Sequence, residues 1–241
     1  MASELVAREE RDLAWHRRKG RIRDGEFQGL PVLHFDDNEH SGFFYKSRTR
    51  KTGICLHYTE GYLGGDISYL TRHDYKVSVP FLIGQSGKIV QLFDPDYWSY
   101  HLGRGAIGGN TRGSKALIGI ELNSVGHIEK SGDLMFTYWG NEYCRATETN
   151  YYTKLRSAYR GYEYYAAFTA LQYKSLNALL DALCDKYDIP RRFLNLSTRF
   201  EPFARSEEAA KFRGISSHVN YRSTGKRDIG PAFEWHRIGA N

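Results

Sequence analysis

In Gly53-Ile54-Cys55-Leu56-His57-Tyr58-Thr59-Glu60-Gly61, a short apolar run ends in a histidine and then in polar residues and a glycine. Four to six apolar residues bounded by a turn signal read as a strand buried on both faces. His57 therefore stands at the end of a buried strand, where open sheets present functional groups. Alone, His57 reads more readily as a packed, hydrogen-bonded side chain than as a ligand.

The neighbouring segments repeat the pattern. Residues 117–122, Leu-Ile-Gly-Ile-Glu-Leu, are a second buried-strand candidate. Phe81-Leu82-Ile83 and Ile89-Val90-Gln91-Leu92-Phe93 flank Gly84-Gln85-Ser86-Gly87-Lys88 and predict a hairpin. Asp66 is placed to cap a helix over residues 66–75. Thr169, with Gln172 three residues on, has the pattern of a capping box, and Phe168 and Tyr173 suit the accompanying staple. Leu171, Leu176, Leu179, Leu180, Leu183 and Tyr187 then form an apolar stripe, and Asp188-Ile189-Pro190 ends that helix. Strands interleaved with helices, plus a hairpin, predict an α/β or α+β fold with a mixed central β-sheet flanked by helices on both faces.

Residues 3–19 read as a charged helix with Ser3 as cap and Gly20 as stop. Residues 24–50, with Gly, Pro and the acids Asp36, Asp37 and Glu39, read as an irregular wrapping extension. No composition break marks a second domain. The expected organisation is an extension over 1–50 and one catalytic domain over 51–241, with a tyrosine-rich insertion at about 124–165. Within 136–165 lie eight tyrosines, Phe136 and Trp139. Such a cluster is a local packing unit or a set of faces for sugars and bases.

The 241 residues are ample for a core, and 41% hydrophobic content excludes wholesale disorder. No apolar run approaches the roughly 20 residues of a membrane helix. The charged first twenty residues lack the apolar segment of a secretory signal. Three cysteines, Cys55, Cys144 and Cys184, point to neither a disulfide scaffold nor a thiolate zinc cluster. The net charge is +6, and residues 191–241 hold ten bases against five acids. That balance suits an anionic partner, whether nucleic acid, anionic lipid or carboxylate-rich wall. No nucleic-acid reader motif is present, and no nucleic-acid partner is expected.

His218 and Asp228 are ten residues apart around a glycine-containing loop. Folding back, that loop would join His57 in a two-histidine, one-carboxylate set, the usual catalytic zinc arrangement with an open position. A surface loop of ordinary polar residues is the other reading. Glu121, set among Ile and Leu, is either a buried base of raised pKa or an outward residue on a strand edge. His101, after Tyr97 and Trp98, is a substrate contact or a structural loop histidine.

Taken together these residues resemble the zinc-dependent N-acetylmuramoyl-L-alanine amidases of type 2, a family of phage endolysins and muropeptide-recycling enzymes that shares its fold with peptidoglycan recognition proteins. The resembling segments run in order over residues 50–235. Lys226-Arg227-Asp228-Ile229-Gly230-Pro231-Ala232-Phe233 is the closest, against the family's K-x-D-P-G-P-A-F. The resemblance implies zinc ligands at His57, His218 and Asp228, a catalytic pair Glu121 and Lys226, and substrate contact at His101. It implies Zn2+ as cofactor, and hydrolysis of the amide between N-acetylmuramic acid and L-alanine in peptidoglycan or muropeptides. A non-catalytic peptidoglycan binder of the same fold is the alternative. Ile229 replaces the family's proline, and Val79-Pro80-Phe81 lacks the histidine that many relatives place before the aromatic. The oligomeric state stays open. With no signal recognised, action on the wall after release or export, or on imported muropeptides in the cytoplasm, is expected.

Overall fold

A computed structural model describes residues 2–36 and 42–240. In chain order the elements are α1 (Ala2–Arg18), β1 (Ile22–Phe27), β2 (Leu30–Phe35), β3 (Gly53–Tyr58), α2 (Leu63–Leu70), β4 (Phe81–Ile83), β5 (Ile89–Gln91), α3 (Asn110–Ala116) and β6 (Leu117–Leu122). There follow β7 (His127–Ser131), β8 (Leu134–Thr137), β9 (Glu142–Arg145), β10 (Tyr152–Tyr159), β11 (Tyr162–Ala166), α4 (Ala170–Tyr187), α5 (Ser206–Lys211) and β12 (Gly214–Ser217). The expected strands at 53–58 and 117–122 and the expected hairpin are all present, and the mixed α/β architecture is as the sequence predicts.

The main sheet has the order β1-β2-β5-β4-β6-β3-β12. Its centre, β4, β6, β3 and β12, is parallel. Parallel strands must be covered on both faces, which is why β3 is buried at every residue. Alternate residues supply the two cores. Ile54, Leu56, Phe81, Ile83, Ile118 and Ile120 pack under Leu176, Leu179, Leu180 and Leu183 of α4. Each such side chain contributes roughly 1.5–3 kcal/mol on burial. Leu82 and Val90 pack on the other face against Leu63, Ile67 and Leu70 of α2 and Leu13 of α1. The Thr169 capping box forms as expected, with Gln172 N–H donating to Thr169 Oγ1 at 3.0 Å and Thr169 N–H to Gln172 Oε1 at 3.0 Å. Leu171 departs from its expected place in the stripe: it is 51% exposed, because five residues before Leu176 it is turned off the buried face.

Three further expectations are corrected. The segment after α1 is an irregular wrap only in its later described part, residues 42–50. β1 and β2 form a hairpin through the turn Gln28-Gly29, both with positive φ, and β2 pairs in parallel with β5. β1 shows little alternation because its middle four residues are not buried, so periodicity could not reveal it. Gly25 is required there: a Cβ would lie 1.8 Å from the His34 ring. Asp37 and Glu39 fall outside the described residues, and Ser3 lies within α1 rather than before it.

Asp66 is no cap either. The N-cap of α2 is Tyr62, and Asp66 is buried inside the helix, accepting a 2.6 Å bond from Asn123 Nδ2. Burial pushes its carboxyl up to about 7, against the opposing help of Thr59 and Asn123. The unfolded chain ionises near pH 4, so this carboxyl costs the fold progressively between pH 4 and 7 and fully above. Asp66→Asn should therefore melt higher than the parent at pH 8, by a few kcal/mol of stability, and the gap should close near pH 4. Equal melting temperatures at pH 8 would contradict this account of Asp66.

The tyrosine-rich stretch folds as a separate antiparallel sheet of order β10-β11-β7-β8-β9. Val125, Ile128, Met135, Tyr143 and Cys144 form its core. The packing reading of the tyrosines holds for Tyr143 and Tyr165, which are buried, whereas Tyr138 is 51% exposed. All three cysteines are free and buried. Among the described residues no helix is long and apolar enough to cross a membrane.

Candidate metal centre and active site

The parallel strands deliver the site. In the β3–β6 register His57 lies opposite Glu121, and in the β3–β12 register Leu56 lies opposite Ser217. Residues paired in register share a face, so His57 and Glu121 project together, away from the α4 core. His218 follows directly on Ser217, at the end of the neighbouring strand, in a 3-10 turn over His218–Tyr221. The crevice thus lies at the carboxyl ends of β3, β6 and β12, where open sheets place their ligands.

The loop beyond His218 folds back as the spacing suggested. Val219 N–H donates to Asp228 C=O at 2.9 Å, and Ser217 Oγ donates to Ile229 C=O at 3.2 Å. These close the loop and bring the Asp228 carboxylate to the two histidines. His57 Nδ1 lies 2.9 Å from His218 Nδ1 and 3.2 Å from Asp228 Oδ2, and His218 Nδ1 lies 2.9 Å from the same oxygen. All three residues are buried.

Glu121, His101 and Lys226 border the same cavity, of about 450 Å³. That is the size of a small-molecule pocket. Its outer wall includes Tyr69, Tyr100 and, from the second sheet, Tyr138. Sequence reasoning placed no individual tyrosine here, since what singles out Tyr138 is its position in space. His101 Nδ1 sits 3.0 Å from His57 Nε2. Gly119 allows this approach: a Cβ there would lie 2.5 Å from Val79 and 3.3 Å from the His101 ring. The bases of the C-terminal region are largely engaged elsewhere. Arg191 pairs with Asp181, Arg205 with Glu208 and Arg237 with Glu234, and Lys226 is the base among the cavity's described lining.

Electrostatics follow from the burial. Desolvation, then the adjacent His218, lowers His57 to about 4, so the ring is neutral at pH 7. Burial, then His57 and His218, also holds His101 neutral. Burial opposes ionisation of Asp228, but His218, His57 and Lys226 outweigh it and keep the carboxylate charged. Glu121 is raised well above the carboxylate range, by burial first and by Asp228 second. Its Oε2 is buried without a protein partner.

Two groups of donor atoms could hold a divalent ion such as zinc: Cys55, His57 and His101, or His57, His218 and Asp228. The second fits better. Two imidazoles and one carboxylate are a familiar catalytic zinc set. His218 Nε2 lies 3.0 Å from the Leu102 carbonyl, which can only accept, so the ring donates there and turns the Nδ1 lone pair toward Asp228 and His57. Cys55 is fully buried and burial pushes its thiol up, so an ion there would have to displace a tightly held proton, whereas the Asp228 carboxylate is already charged.

The N-acetylmuramoyl-L-alanine amidase family model matches residues 47–231. The chain belongs to that family. Among solved structures, the N-acetylmuramyl-L-alanine amidase AmiD from E. coli is similar over 90% of this chain and 64% of its own, at 20% identity and a TM-score of 0.51. The endolysin LysCS from Clostridium intestinale is 14% identical over 85% of this chain and 90% of its own, with a TM-score of 0.45. AmpDh3 from Pseudomonas aeruginosa is 14% identical over 80% and 60%, with a TM-score of 0.49. Among curated proteins none matches. As a member of the family, the amidase cleaves the bond between N-acetylmuramic acid and L-alanine at a zinc-binding site.

Proposed function

We propose that His57, His218 and Asp228 hold zinc, that Glu121 and Lys226 carry the proton and charge of amide hydrolysis, and that His101 meets the substrate. The observation that supports this most directly is the convergence of the three donor atoms within about 3 Å of one another at the floor of a cavity that Glu121 and Lys226 also line. Zinc at such a set lowers the pKa of water toward about 7 and polarises a carbonyl.

The chain's own residues do the rest. Glu121, as the carboxylate, accepts the proton of the attacking water. It then delivers that proton to the departing L-alanine nitrogen. Lys226 presents positive charge to the oxygen of the cleaved amide, an interaction whose loss typically costs roughly 3 kcal/mol of barrier. His57 Nε2–H donates to His101 Nδ1, which fixes the tautomer that leaves His57 Nδ1 free. His101 Nε2 then carries the hydrogen and is buried toward the Leu117 carbonyl, so the substrate contact proposed for His101 rests on its place in the cavity lining.

The AmiD structure holds anhydro-N-acetylmuramic acid-L-Ala-D-γ-Glu-L-Lys. A muropeptide of that kind is the substrate class proposed here, in intact wall or as a released fragment. The site of action proposed is either the wall, reached by release or export, or imported muropeptides. Incubation with purified sacculi and, separately, with soluble anhydro-muropeptides should release L-alanine amines from at least one. Binding of both without new amines would leave a non-catalytic binder instead. Because Glu121 must be ionised to act and burial raises its pKa, the acid limb of kcat/KM should lie above the ordinary carboxylate range, and activity should fall as pH drops through it. An acid limb near pH 4 would exclude Glu121 as the base.

A further inference from the structure

The second sheet reaches the metal loop through one side chain. β10 and β11 meet in a two-residue turn, Arg160-Gly161, with φ of 47° and 95°. Both central residues are left-handed, the geometry of a type I′ hairpin turn, which favours Asn, Asp or Gly at the first position. Arginine is a poor choice there on backbone grounds. A side chain kept in an unfavourable backbone region points to work done by that side chain.

That side chain turns back onto the protein and is partly buried there. Arg160 Nη1 donates to the Arg222 carbonyl at 3.1 Å and to the Lys226 carbonyl, and Nη2 faces the Val219 carbonyl at 3.4 Å. All three acceptors lie on the segment that runs from His218 to Asp228. Its neighbours in the turn touch the same region. A Cβ at Gly230 would lie 2.5 Å from the Tyr159 ring, Tyr159 Oη donates to the Phe200 carbonyl at 3.0 Å, and Arg227 lies 4.6 Å over the Tyr162 ring. The loop has three consecutive polar exposed residues, Ser223-Thr224-Gly225, between its two functional ends. Without an external anchor their backbone freedom would be shared by Lys226.

We propose that Arg160 is a positioning residue for the amidase reaction: its forked guanidinium pins the His218–Asp228 segment so that Lys226 and Asp228 are held against the cavity. This rests on the metal and catalytic roles proposed above. The planar fork suits the task, because it addresses several carbonyls at once at little loss of freedom. The second sheet is thereby part of the active site without touching the reacting atoms.

Arg160→Asn separates positioning from folding. Asparagine suits the left-handed turn, so the melting temperature should stay within about 2 °C of the parent or rise. Zinc affinity, read by competition with a chelator, should fall about tenfold, in the range for loss of a supporting contact. At saturating zinc, kcat should fall about tenfold with KM within twofold. Arg160→Lys should recover part of both losses. Parent-like zinc affinity and kcat in Arg160→Asn would overturn the proposal, as would losses accompanied by a melting drop of more than about 5 °C. If the parent itself binds no zinc, the functional reading fails and this inference with it. A zinc-loaded parent with an unaffected variant removes this inference alone.

Discussion

Glu121→Ala should bind zinc as tightly as the parent and lose about a thousandfold in kcat/KM. General acid–base catalysis is worth roughly 10²–10⁴ in rate, and the proposed role gives one carboxylate both directions of transfer. A thousandfold is about 4 kcal/mol of barrier. Glu121 is not among the three converging donor atoms, which is why metal retention is expected. The fold should survive, since removing a buried carboxyl without a protein partner relieves desolvation and repulsion from Asp228. Zinc content and turnover of the same preparation decide the matter. Parent-like turnover with zinc bound would show that another group takes the proton.

His57→Ala should lose both. Its ring supplies one of three donors and contacts the other two, so removal leaves a histidine and a carboxylate that no longer enclose an ion. Zinc affinity should fall by more than about 100-fold, beyond what loss of a supporting hydrogen bond causes. Activity should fall to background at any practical zinc concentration. The contrast with Glu121→Ala is the informative result: one variant metal-loaded and inert, the other metal-free and inert. A His57→Ala protein that retained stoichiometric zinc would move the centre to a different donor set.

Much of this was legible in the sequence because it depends on short-range rules. β3 and β6 are buried on both faces and read as unbroken apolar runs, and the Thr169 box is a local hydrogen-bond pattern. His57 and Glu121 are marked by standing at or near strand ends, and His218 by its spacing from Asp228 around a glycine-containing loop. What the chain did not disclose was distance. Whether Glu121 faced solvent or His57 was undecided until the β3–β6 register was known, since alternation gives a face but not a neighbour. The β1–β2 hairpin was missed because an exposed edge strand carries little pattern. Asp66 was taken for a cap because its partner, Asn123, lies 57 residues away. Arg160 carried no signal at all, as its acceptors are backbone carbonyls some 60 residues on.

The region matched by the family begins at residue 47, whereas β2, ending at Phe35, is bonded along one side of β5. Trimming a recombinant fragment to the shared region would strip that strand away. The bared rim of β5 would offer unpaired amides and carbonyls beside Val90, an invitation to stick to other molecules. Transplants or libraries built on this scaffold are therefore best cut ahead of α1, not at the boundary that kinship suggests.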